Sequence, residues 1–342
     1  MAGSRRFLSW PLWRLPLVIC FFCLGFWVLG RFVAPEPLPP TVVTASAADR
    51  FGEEQDEELD VLRRQVAEQR ALLRPKALAQ PQTVDEMLAL FPTTFPNGDW
   101  RAAELGGFED CWFESADGIR LHGWYYAAPK AERAVVFLHG NAGHVAIWSR
   151  YAVALAAATR SAVLVFDYRG YGRSEGRPTF QGMIRDGQAA RNYLALRLQR
   201  PAGDVILVGQ SMGGAIAVQI AAADGARAVI LERTFSTFRD VATSHFPKAL
   251  VNALVADRLN SAKAIRAYRG PVLISHGEHD EVIPFAQGKA LFAAANEPKR
   301  FVSLGATGHN DPQPQEYWRE LAAFLEQHVP VVPETDIRTG GR

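Results

Sequence analysis

The segment Gly209-Gln210-Ser211-Met212-Gly213 sets a serine between two glycines. It follows the apolar run Val205–Val208 and leads straight into the helical pattern of Met212–Asp224. A serine hydroxyl is a poor nucleophile at neutral pH unless an imidazole takes its proton, and that imidazole needs a carboxylate to fix its tautomer. Two later strand-like runs end in residues of those types. Val272–Ile274 leads into Ser275-His276-Gly277-Glu278-His279-Asp280-Glu281, and Arg300–Leu304 leads into Gly305-Ala306-Thr307-Gly308-His309-Asn310. We read Ser211 as the nucleophile, Asp280 as the acid and His309 as the base, in the chain order that goes with a serine on a strand-turn-helix elbow. His276 and His279 compete for the role of base, but they flank the acid and cannot easily face it. Glu278 and Glu281 compete with Asp280.

An anion forming at the serine needs donors. His139-Gly140-Asn141-Ala142-Gly143 follows the run Ala134–Leu138, and a glycine-rich turn there can aim backbone N–H groups at such an anion. The oxyanion hole is therefore assigned to the amides of Asn141 and Met212, with their side chains of lesser weight; the plainer reading is a simple strand-to-helix turn. Glu232 ends the run Ala228–Leu231 and is read as ordering its loop rather than catalysing. His122, His144 and His245 show no metal-ligand spacing, so no metal or other cofactor is expected. Gly170-Tyr171-Gly172 superficially resembles a dinucleotide loop, but Gly176 falls one place late and the turn follows the wrong strand.

These residues need a frame. Ala134–Leu138, Ala162–Phe166, Val205–Val208, Ala228–Leu231 and Val272–Ile274 are uninterrupted apolar runs, the pattern of strands covered on both faces. Helical stretches alternate with them at Trp148–Arg160, Met183–Arg200, Met212–Asp224 and Phe285–Asn296, and Glu316–His328 closes the unit. This alternation implies an α/β fold with a mostly parallel sheet and crossover helices. Asp117-Gly118 joins Cys111–Phe113 to Ile119–Tyr126 as a hairpin that adds an antiparallel edge. Thr83 with Glu86 reads as a capping box opening a helix through Leu90. In such sheets ligands sit beyond the carboxyl ends of the strands, where Ser211, Asp280 and His309 all fall. The segment from Thr234 to Arg269 is long for a bare crossover and should carry small helices. Its Phe235, Phe238, Phe246, Leu250 and Leu254 either line an acyl pocket or form the buried face of those helices.

The chain has 342 residues, 48% hydrophobic, and a formal net charge of +1. That balance offers no basic excess for nucleic acid. Of three cysteines, Cys20 and Cys23 lie in an N-terminal apolar run and Cys111 alone falls in the folded part, which excludes a disulfide framework there. Arg5, Arg6 and Arg14 precede the uncharged stretch Leu15–Gly30. It approaches the ~20 residues needed to span a bilayer if Arg31 snorkels and Phe32 and Val33 are counted. An uncleaved anchor is favoured over a signal peptide, whose small-residue site, Ala45-Ser46-Ala47, lies far past the run. The cationic flank then faces the cytoplasm and the remainder lies outside it; cleavage would give a secreted or periplasmic protein instead. The expected organisation is an anchor over 1–34, a linker and stalk helix over 35–82, a catalytic domain over 83–330 and a tail over 331–342.

Five strings occur in order: LHGNAG at 138–143, FDYRGYGRSEG at 166–176, GQSMGGA at 209–215, GEHDEVIP at 277–284 and GHND at 308–311. From about Gly106 to His328 the chain resembles the α/β-hydrolase superfamily. It is most similar to membrane-anchored abhydrolase-domain proteins related to the serine aminopeptidase type. The resemblance implies an α/β-hydrolase fold, the nucleophile Ser211, the acid Asp280, the base His309 and oxyanion donors at Asn141 and Met212. It also implies a serine hydrolase acting on an ester or thioester, with a small acyl compound, a lipid or an acylated protein as substrate. A serine aminopeptidase, or an idle membrane-tethered binding module of the same fold, is the alternative.

Overall fold

In the computed structural model, residues 82–100 and 106–330 are described. The expected anchor at 1–34, the stalk and the tail at 331–342 lie outside them. Among the described residues no helix is long and apolar enough to cross a membrane.

Eight strands form one sheet in the order β1-β2-β4-β3-β5-β6-β7-β8. They are β1 (Glu109–Glu114), β2 (Arg120–Ala127), β3 (Arg133–Leu138), β4 (Ser161–Phe166), β5 (Val205–Gln210), β6 (Val229–Glu232), β7 (Val272–His276) and β8 (Lys299–Ser303). β2 runs antiparallel to both β1 and β4, and every other pair is parallel. The β1–β2 hairpin closes through Gly118, whose φ of +81° suits a residue without a Cβ.

Every residue of β3 through β7 is buried, as uninterrupted apolar runs require. Their side chains alternate between two cores. Val136, Leu138, Leu207 and Ile274 face one side, together with Met183 and Leu194 of α3 (Phe180–Arg197) and Ile216 and Ile220 of α4 (Met212–Asp224). Val135, Phe137, Val208 and Leu273 face the other, with Leu155 of α2 (Ser149–Thr159) and Tyr317, Leu321 and Phe324 of α9 (Gln315–His328). Each fully buried side chain of this size contributes about 1.5–3 kcal/mol, so the sheet is clamped from both faces and its carboxyl edge is a firm platform.

The short α1 (Val84–Ala89) begins as expected, with the Thr83 amide donating to Glu86 Oε2 at 2.9 Å. α3 starts three residues before the expected Met183. Thr179 accepts the Gly182 amide at 3.0 Å and so caps the helix earlier, and Gln199 in the left-handed region (φ +53°) ends it before Arg200. The segment after β6 carries α5 (Phe238–His245), α6 (Lys248–Leu254) and α7 (Ser261–Ala264) before α8 (Phe285–Ala294). Phe235 is buried and Phe238 packs against it and against Phe180, so both belong to the core side of these helices. Leu250 and Leu254 are exposed.

Candidate active site

Ser211 occupies the single-residue turn between β5 and α4, with φ +55° and ψ −121°. A side chain at positive φ is strained, and close packing holds it there. A Cβ on Gly213 would sit 2.0 Å from the Leu138 carbonyl oxygen, and one on Gly209 would sit 2.4 Å from that of Gly213. Only glycine fits at these two positions, so the helix can turn back against the strand and leave the serine hydroxyl at the sheet edge.

The structure brings the three expected side chains together. Ser211 Oγ lies 3.1 Å from His309 Nε2, and His309 Nδ1 lies 2.8 Å from Asp280 Oδ2. The carboxylate fixes the tautomer: Nδ1–H donates to Asp280, leaving Nε2 to accept the serine proton. Asp280 Oδ1 accepts the amides of Val282 and Ile283 at 2.9 and 2.7 Å. Burial pushes the Asp280 carboxyl upward, but hydrogen bonds from His276 and His309 and from the Ile283 amide outweigh it, and the acid stays well below the usual carboxylate range. It is ionised whenever an imidazolium needs it.

Of the competing residues, His276 meets the acid, against expectation. His279, Glu278 and Glu281 are exposed, and Glu278 accepts the Ser303 hydroxyl at 2.7 Å. His276 is fully buried, with Nε2 2.8 Å from the Ile283 carbonyl and 3.3 Å from Asp280 Oδ2. It therefore supports the acid from behind. Its position on β7 hid this, because strand and loop meet the carboxylate from two sides.

Met212 opens α4 and is buried. The loop carrying Asn141 packs on the serine, since a Cβ at Gly140 would lie 3.4 Å from Ser211 Cβ. The Asn141 side chain proves to be a junction. Its Nδ2 donates to the Ala89 carbonyl, while Oδ1 accepts the Phe91 amide at 3.1 Å, the Ala142 amide at 3.0 Å and the Tyr171 hydroxyl at 2.9 Å. The Gly170-Tyr171-Gly172 turn thus braces the loop that carries Asn141, and α1 is strapped to it. Glu232 is fully buried; both its side-chain oxygens are engaged, by Tyr151, Tyr317 and Gln313. His122 sits between Asp110 and Asp167, and His245 meets the Val282 carbonyl. Among the described residues no group of three or more His, Cys, Asp or Glu is placed to hold a metal ion.

Comparison with known proteins agrees with this architecture. Residues 133–234 match the family model described as the alpha/beta hydrolase fold. An uncharacterized protein of Mycobacterium tuberculosis strain H37Rv is 35% identical over 228 residues, covering 66% of this chain and 80% of that protein. The alpha/beta hydrolase domain-containing protein WAV2 of Arabidopsis thaliana is 32% identical over 246 residues, covering 65% and 80% respectively. The esterase Pf2001 of Pyrococcus furiosus shares the fold with a TM-score of 0.57 at 18% identity, over 70% of this chain and 99% of that one. The chain belongs to the α/β-hydrolase family.

Proposed function

We propose that the protein is a serine hydrolase that cleaves a carboxylic ester or thioester through an acyl-serine. The observation that carries this reading is the chain Ser211 Oγ, His309 Nε2, His309 Nδ1, Asp280 Oδ2, with contacts of 3.1 and 2.8 Å. In the first half-reaction Ser211 Oγ bonds to the acyl carbon while His309 Nε2 takes its proton. The amides of Asn141 and Met212 receive the charge that develops on the carbonyl oxygen. The bond to the alcohol or thiol then breaks, and His309 returns the proton to the leaving group. In the second, water attacks the acyl-serine, His309 takes the water's proton and passes it to Ser211, and a carboxylic acid departs.

The likeness to an esterase supports this class of reaction. An aminopeptidase needs a carboxylate to hold the substrate's α-amine, and Glu232, the carboxylate that ends β6, is fully buried and already bonded to Tyr151, Tyr317 and Gln313. The relatives include abhydrolase-domain proteins, and the membrane-anchored branch with a catalytic domain outside the cytoplasm is part of this reading. Retention of the intact chain in membranes after an alkaline carbonate wash supports the anchor, and a mature N-terminus near Ala48 contradicts it. The function itself is tested with p-nitrophenyl esters of graded chain length: hydrolysis that disappears with Ser211→Ala supports it, and hydrolysis that survives refutes it.

A further inference from the structure

A buried carboxylate is expensive. Desolvation costs several kcal/mol, and an apolar residue of similar volume often stabilises a fold as well or better. Burial pushes the Glu232 carboxyl upward against the hydrogen bonds of Tyr151, Tyr317 and Gln313 and the charge of Arg233. It nonetheless stands where hydrogen bonds link the turn of the nucleophile to the loop of the base.

Its main-chain oxygen accepts the Ser211 amide at 2.9 Å. Its side-chain Oε2 accepts Gln313 Nε2 at 2.8 Å. Gln313 lies four residues past His309, in the irregular segment between β8 and α9. The front half of that segment is tied to the β7 loop, by Glu278 N to Gly305 O at 2.8 Å and His279 N to Thr307 O at 3.2 Å. The back half is tied to Glu232. Tyr151 of α2 and Tyr317 of α9 donate to Oε1 and hold the carboxylate itself still.

We infer that Glu232 is a positioning residue: through Gln313 it sets the loop that carries His309, and through its own carbonyl it sets the turn that carries Ser211. This rests on the reading of those two residues as base and nucleophile. A base displaced by about 1 Å loses up to ~10²-fold in rate, so the tie acts on turnover and not on substrate affinity. Both tyrosines and Gln313 need only an acceptor from residue 232. A glutamine can serve, because Gln313 Oε1 has no hydrogen-bond partner among the described residues. If the Gln313 amide turns over, that oxygen faces the new amide nitrogen.

The experiment compares the wild type with Gln313→Ala, Glu232→Gln and Glu232→Ala. Each is measured for kcat and KM on a p-nitrophenyl ester and for its rate of fluorophosphonate labelling. Gln313→Ala and Glu232→Ala should lower kcat and the labelling rate by about 10-fold or more with KM within about 2-fold, whereas Glu232→Gln should recover most of both. Unchanged kcat in Gln313→Ala, or Glu232→Gln falling as far as Glu232→Ala, overturns the inference. Gln313→Ala removes a half-buried loop side chain and decides the matter alone if Glu232→Ala does not fold. A wild type that fails to label at Ser211 overturns the underlying reading instead, and is told apart by that result.

Discussion

Tyr171 donates its hydroxyl to Asn141 Oδ1 at 2.9 Å, and that contact joins the turn after β4 to the loop beside the nucleophile. The same oxygen accepts the Phe91 amide, so the chain leaving α1 is fastened to the loop as well. The segment before β1 is therefore part of the site's scaffold. Asn141→Ala should lower kcat on the order of 10-fold or more through loss of loop geometry, and Tyr171→Phe should cost less. A chain beginning at residue 82 should hydrolyse esters, and one beginning at residue 92 should be severely impaired. Full activity in the shorter chain would show that α1 does not support the loop.

The three histidines near the acid should separate in kinetics. His309→Ala should cost on the order of 10⁴-fold, since the serine then has no base. His279 is exposed, and its substitution by alanine should change little. His276→Asn removes a contact to a charged carboxylate, an interaction of roughly 1.5–3 kcal/mol, and a loss of roughly 10- to 100-fold in kcat is expected. Steady-state kinetics of the three variants checks this order; His279→Ala matching His309→Ala would contradict it.

The frame and the three principal side chains are legible in the sequence because they depend on local pattern. Runs such as Ala162–Phe166 announce covered strands, and Ser211, Asp280 and His309 each follow such a run directly. What stayed hidden depends on partners remote in the chain. Asn141 meets Ala89 and Tyr171, and Glu232 meets Tyr151, Gln313 and Tyr317, each from a separate part of the chain. His276 flanks the acid in sequence, which gives no sign that it ends β7 and is sealed against Asp280. The early start of α3 was present locally, in Thr179, but the proline before it and Gly182 after it masked the helical pattern. Phe235 and Phe238, equally suited to a pocket or a core, were resolved only by the rings they touch.

Acid should loosen the hairpin. Hydrogen bonds from Arg169 lower the Asp117 carboxyl to about 2 against the effect of burial. The unfolded chain, with its aspartate near ~3.9, binds more protons between the two values, so stability falls as pH drops through that window. The contribution is fully present above about pH 4 and is lost toward pH 2. The stability difference between the wild type and Asp117→Asn should accordingly be largest near neutral pH and shrink below about pH 4. Urea unfolding at a series of pH values measures it, and a difference that grows in acid would contradict the account.

The most direct measurement is peptide mass analysis of the protein after reaction with a fluorophosphonate probe. One adduct is expected on the peptide containing Ser211, absent from Ser211→Ala and strongly slowed in His309→Ala. An adduct on a different residue, or labelling that persists undiminished in Ser211→Ala, would contradict it.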